Sequence, residues 1–198
     1  HDVSRTTRWW PAWRQHQTIR IGIVMGMASA TYFGANAFIP DFLEQTGRHD
    51  LISPALAVLN GSQLLTAPAV ALWPRVLMGR AGFVGSAALM AIAQTGIVLT
   101  PGAGVVGWAF VLGFSTALAF IAVLSIPPRV APPGDVASMS AAIFTIQYAT
   151  AFAVPLVAGA LWDATGQAAL AFGPGILAGA AMAWGALSLR IPGRVSAA

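Results

Sequence analysis

Apolar residues run along this chain in six long blocks instead of alternating or recurring on one helical face. After a polar opening at 1–18, the blocks cover 19–43, 54–72, 82–100, 105–126, 137–161 and 168–189. Each is close to the roughly 20 residues a helix needs to cross a bilayer with its backbone hydrogen bonds made internally. The breaks carry turn chemistry: Thr46-Gly47-Arg48-His49-Asp50, Pro74-Arg75 to Arg80, Pro101-Gly102, Pro127-Pro128-Arg129 to Gly134, and Asp163 to Gly166. A membrane β-barrel would show alternating segments of about ten residues, and none occur. The pattern predicts an all-α, polytopic membrane protein. Its six-transmembrane-helix bundle covers 19–190, between an opening segment 1–18 and a tail 191–198.

Composition narrows the class further. Hydrophobic residues make up 57% of the chain and charged residues 8%, against about 25% charged in an ordinary soluble domain. So few charges cannot cover a soluble globule, and so much apolar content excludes a disordered chain. With no cysteine there is no disulfide framework, thiolate nucleophile or Cys-based metal site. The net charge of +4 comes from arginines that topology explains, so no nucleic-acid partner is expected. If the termini and every second break share one side, that side holds Arg5, Arg8, Arg14, Arg20, Arg75, Arg80, Arg129, Arg190 and Arg194. The other holds Arg48 alone, together with Asp41, Glu44, Asp50 and Asp163. By the positive-inside rule both termini are expected in the cytoplasm. Trp73, Trp108, Trp162 and Trp184 lie near span ends, where aromatic belts form. Trp9, Trp10 and Trp13, mixed with Arg8 and Arg14, read equally as a headgroup-bound tail or as an unanchored linker.

The first block is the most informative. Gly22, Gly26, Ala30 and Gly34 recur at i+4, a small-residue stripe suited to close helix packing. Ser29, Tyr32 and Asn36 form a polar stripe, expected on the opposite side of the helix, lining a cavity or bonding to another helix. Other polar positions are Asn60 and Gln63 in the second block, Ser115 and Thr116 in the fourth, and Gln147, Tyr148 and Thr150 in the fifth. The third block has Gln94 and Thr95, and the sixth little beyond the pair Gly175 and Gly179. The expected substrate contacts are therefore Tyr32, Asn36, Asn60, Gln63, Ser115 and Gln147. Every Asp, Glu and Arg sits near a span end or in a break, whereas proton relays and ion sites normally leave an ionisable residue inside the membrane. His1, His16 and His49 fall outside the blocks, and no carboxylate pair or metal-ligand cluster lies within one. No enzyme, cofactor or metal site is expected.

Two motifs carry a resemblance. The first is Gly34-x-Asn36-x-Phe38-x-Pro40-x-x-Leu43 followed by Gly47. The second runs from Arg129 through Ala137 to Ser140, then Tyr148, Pro155, Gly159, Asp163, Thr165 and Gly166. They resemble the seventh helix, and the tenth–eleventh loop with the eleventh helix, of major facilitator superfamily transporters of the bacterial cyanate and nitroimidazole transporter-like branch. Phe33 and Phe38 replace that branch's Tyr and Trp, and Gln147 and Val154 stand where it tends to have Gly. From about Ile19 onward the chain resembles the C-terminal half of a twelve-helix major facilitator fold, a half related to its partner by an axis along the membrane normal. His1–Arg20 looks like the end of a central cytoplasmic loop. The resemblance implies a secondary transporter of a small-molecule substrate in the bacterial cytoplasmic (inner) membrane. It also implies two partners, the lipid bilayer and the N-terminal six-helix half of the same transporter. The alternative is a six-helix membrane receptor or assembly subunit that transports nothing.

Overall fold

Six helices are long and apolar enough to cross a membrane, which makes this a multi-pass helical membrane protein. The computed structural model describes residue 13, residues 15–132 and residues 134–188. Helix α1 spans His16–Gln45, α2 His49–Leu72, α3 Arg80–Leu99, α4 Gly104–Leu124, α5 Val136–Thr165 and α6 Gly173–Ser188, the last led in by a 3-10 turn at Ala168–Phe172. Short helical turns, Pro74–Leu77 and Pro127–Val130, occupy two of the breaks. No strand occurs among the described residues. Each expected block coincides with one helix to within five residues at either end. The tail 191–198 lies outside the described residues, as do Arg5, Arg8, Trp9, Trp10 and Arg14 of the opening segment.

Helix α1 is the hub. At 30 residues it is about 45 Å long, against a hydrocarbon core of about 30 Å, so it either tilts or projects at its ends. It packs most extensively on α5, then on α6 and α4, with smaller contacts to α2 and α3. The remaining large seams join α3 to α4, α3 to α6, and α2 to α4. More than half of the apolar window of α1 is buried by its neighbours, but under a third of that of α2 or α5.

Small residues set these seams, as expected where close backbone approach must replace the hydrophobic effect. A Cβ built on Gly26 would lie 2.5 Å from Thr150 Cβ, and one on Gly22 would lie 2.8 Å from Ile146 Cβ. On α6, Gly179 abuts the Ala91 backbone and Gly175 abuts the Gln94 side chain of α3. The tightest approach is at Gly113 of α4, where a Cβ would come within 1.9 Å of the Leu59 carbonyl oxygen. Gly113 lies in a small-residue row of its own, Ala109, Gly113 and Ala117 at i+4, which was not singled out from the sequence. In α2 the helix tightens to a 3-10 turn at Ser62–Leu65, just before Pro68, which has no N–H to offer the Leu64 carbonyl.

The ends of the bundle are tied by side chains. Gln45 donates from Nε2 to the Gly166 carbonyl at 2.8 Å and accepts the Ala168 N–H at Oε1, also at 2.8 Å. Arg48 donates to the Thr100 carbonyl at 3.2 Å, with its guanidinium 5.1 Å from the Phe42 ring centroid. These contacts gather the α1–α2, α3–α4 and α5–α6 connections at one end. At the other end Arg80 donates to the Leu187 carbonyl.

Candidate functional site: a cleft lined by amides and aromatics

Helices α1, α2, α4 and α5 enclose a cleft of about 310 Å³. Helix α1 contributes Ser29, Tyr32 and Phe33, and α2 contributes Gln63. Thr116, Ala117, Phe120 and Ile121 come from α4, and Gln147 and Tyr148 from α5. Among the described residues none of α3 or α6 lines it. These are the helices in which the sequence concentrates polar residues, and the reason is solvation: an amide or hydroxyl at membrane depth needs a partner or water.

One wall is a chain of hydrogen bonds joining α1 to α2. Tyr32 donates its hydroxyl to Asn60 Oδ1. Asn60 donates from Nδ2 to Asn36 Oδ1 at 3.0 Å and to the Leu56 carbonyl at 2.8 Å. Asn36 donates in turn to the Tyr32 carbonyl at 3.0 Å. Tyr32 thus enters the cleft already oriented, whereas the half-buried Asn36 and the exposed Asn60 are not among the residues that line it. What the structure shows of Asn36 and Asn60 is that their hydrogen bonds hold Tyr32 in place.

The floor is different. Gln147 is 2% exposed and donates from Nε2 to Ser29 Oγ at 2.8 Å. Its Oε1 is buried without a hydrogen-bond partner among the described residues. An unsatisfied buried acceptor costs about 1–3 kcal/mol, so this oxygen is primed to receive a donor. Ser29 therefore meets α5, the same helix on which Gly22 and Gly26 pack. At 100° per residue the polar and small-residue stripes of α1 lie only about 110° apart, so they adjoin and are not opposite as expected.

Ser115 does not line the cleft. It is 1% exposed, and its hydroxyl donates to the Leu112 carbonyl of its own helix at 3.1 Å. Thr116, its neighbour, makes the same bond to the Leu112 carbonyl at 2.8 Å but lines the cleft, because consecutive helical residues point about 100° apart. The aromatic walls Phe33, Phe120 and Tyr148 were also not among the expected site residues, since rings in a membrane block carry no signal that separates cleft from lipid. Gln94 has a structural role in the seam of α1, α3 and α6. Its Nε2 donates to the Thr31 carbonyl at 2.7 Å, and its oxygen lies against Gly175. Thr95 bonds to the Ala91 carbonyl of its own helix at 2.9 Å.

A second, apolar groove of about 340 Å³ runs between α1 and α5, lined by Phe33, Ala37, Tyr148, Ala151, Phe152 and Pro155. Phe33 and Tyr148 belong to both spaces. Among the described residues no Asp, Glu, Arg or His lines either one, and no group of three or more His, Asp or Glu side chains is placed to hold a metal ion. Chemically, the cleft offers hydrogen bonds and aromatic faces to a ligand, without a formal charge. No protein-family model, curated protein or solved structure matches this chain.

Proposed function

We propose that this chain is the C-terminal six-helix half of a secondary transporter of the major facilitator type. The cleft is then this half's share of a solute pathway that opens alternately to the two sides of the membrane. The observation that carries the reading is the cleft itself. Amides, hydroxyls and rings from the first, second, fourth and fifth helices converge on it, while the third and sixth serve packing. The large uncovered surfaces of α2 and α5, which flank the cleft, support a second six-helix half closing over that side. The arginine asymmetry supports both termini in the cytoplasm, and the family resemblance supports a bacterial cytoplasmic membrane.

The test is uptake. Vesicles containing the full-length protein are offered a mixture of small neutral and anionic organic solutes, and their contents are read by mass spectrometry. The proposal expects at least one solute to accumulate above protein-free vesicles, and its uptake to fall in Gln63→Leu. No accumulation by folded, correctly inserted protein overturns it in favour of a receptor or assembly subunit.

A further inference from the structure

The cleft and the groove together hold more information than a solute pathway requires. The cleft floor presents one unpaired acceptor, Gln147 Oε1, while the Ser29 oxygen beside it already receives the Gln147 N–H. What is missing is therefore a donor. Gln147 is among the residues lining the cleft, and the terminal torsion of a glutamine amide is broad, so a turn of the amide brings this buried oxygen to a group entering from the cleft. Phe33 and Tyr148 then pass directly into the groove, whose remaining walls are aliphatic or aromatic. Both are partly exposed and half of Tyr148 is uncovered, so neither ring is locked as a partition between the two spaces. Each volume is at the lower end of the roughly 300–1,000 Å³ of ligand pockets, and joined they remain within it.

We propose that the cleft and groove form one two-part site for a neutral amphipathic molecule. Its hydroxyl or N–H end group bonds to Gln147 Oε1, and its ring-sized apolar body lies between Phe33, Tyr148 and Phe152. A neutral molecule fits the described lining, which carries no formal charge, since a buried ion without a partner is costly. The donor requirement follows from the unpaired oxygen. The apolar body follows from the continuity of the groove with the cleft through two shared rings. The inference rests on the proposed transporter reading only in taking this molecule to be the transported solute.

A photolabel tests it without transport. The full-length protein in nanodiscs is irradiated with 4-(hydroxymethyl)benzophenone, which joins a hydroxyl donor to an apolar photoreactive body, and the labelled positions are mapped by mass spectrometry. The expected result is saturable labelling within residues 148–155. Gln147→Met should raise the half-saturating concentration about 2- to 12-fold, the loss of one hydrogen bond. Ala37→Phe, at an exposed position in the groove wall, should abolish the saturable component. It also decides the matter if Gln147→Met does not fold. Unsaturable labelling spread over outward-facing residues overturns the site. So does labelling confined to the cleft, which would assign the groove to a packed helix, or half-saturation unchanged in both variants. Saturable labelling without uptake of any solute removes the transporter reading and leaves the site. Uptake with dispersed labelling does the reverse.

Discussion

Tyr32, Asn60 and Asn36 act as one unit, and its hydrogen bonds assign different consequences to substitutions that look alike in sequence. Tyr32→Phe removes the bond to Asn60 and the only hydroxyl that α1's tyrosine brings to the cleft. For a solute identified by uptake, apparent affinity should weaken about 2- to 12-fold at unchanged membrane expression. Asn36→Ala frees Asn60 Nδ2 from one acceptor and should act through the same ring, with a smaller loss than Tyr32→Phe. A larger loss would return Asn36 to direct contact. Ser115→Ala should leave affinity unchanged while Thr116→Val weakens it, because both hydroxyls bond to the Leu112 carbonyl but only Thr116 lines the cleft. Uptake kinetics of the matched pair check this, and equal effects would contradict the placement. At this scale the sequence was partly legible. Tyr32, Gln63 and Gln147 could be picked out because polar atoms are scarce at membrane depth. The choice of Ser115 over Thr116 could not be settled, because adjacent hydroxyls differ only in the direction they point.

The helices themselves were the most legible feature, since an apolar block of about 20 residues has few other folds available in a bilayer. Packing between them was less so. Gly22 and Gly26 announce themselves by spacing and do meet α5, but Gly34 completes the same stripe and meets nothing within 4 Å. Gly113 shares its i+4 row only with two alanines, Ala109 and Ala117, yet makes the closest approach of the described glycines. Periodicity shows which residues share a face, whereas a seam depends also on where the partner helix diverges. A paired substitution exposes the difference. Gly26→Ala should destabilise the bundle by about 1–3 kcal/mol through overpacking against Thr150. Gly34→Ala should be neutral or stabilise by about 0.5–1 kcal/mol, the usual gain of alanine within a helix. Unfolding in mild detergent ranks the two, and equal destabilisation would mean that α5 stays close to α1 along the whole stripe.

At the scale of the whole molecule, alternating helices gather the Arg48-bearing connection with the Thr100 and Gly166 ends on one side, and bring Arg80 to Leu187 on the other. The arginine count then predicts that a cysteine placed at Gly47 reacts with an impermeant thiol reagent in intact cells. Reaction only after lysis would reverse the orientation. The central claim, however, is that the cleft is a pathway and not a closed pocket, and accessibility tests this without knowledge of the solute. This chain contains no cysteine, and Ala117 is half-buried on the cleft wall. Ala117→Cys, in a full-length protein free of other cysteines and reconstituted in one orientation, is exposed to a charged, impermeant thiol reagent from each side in turn. A transporter half that alternates its access should react from both sides, whereas reaction from one side only, or from neither, would contradict the account.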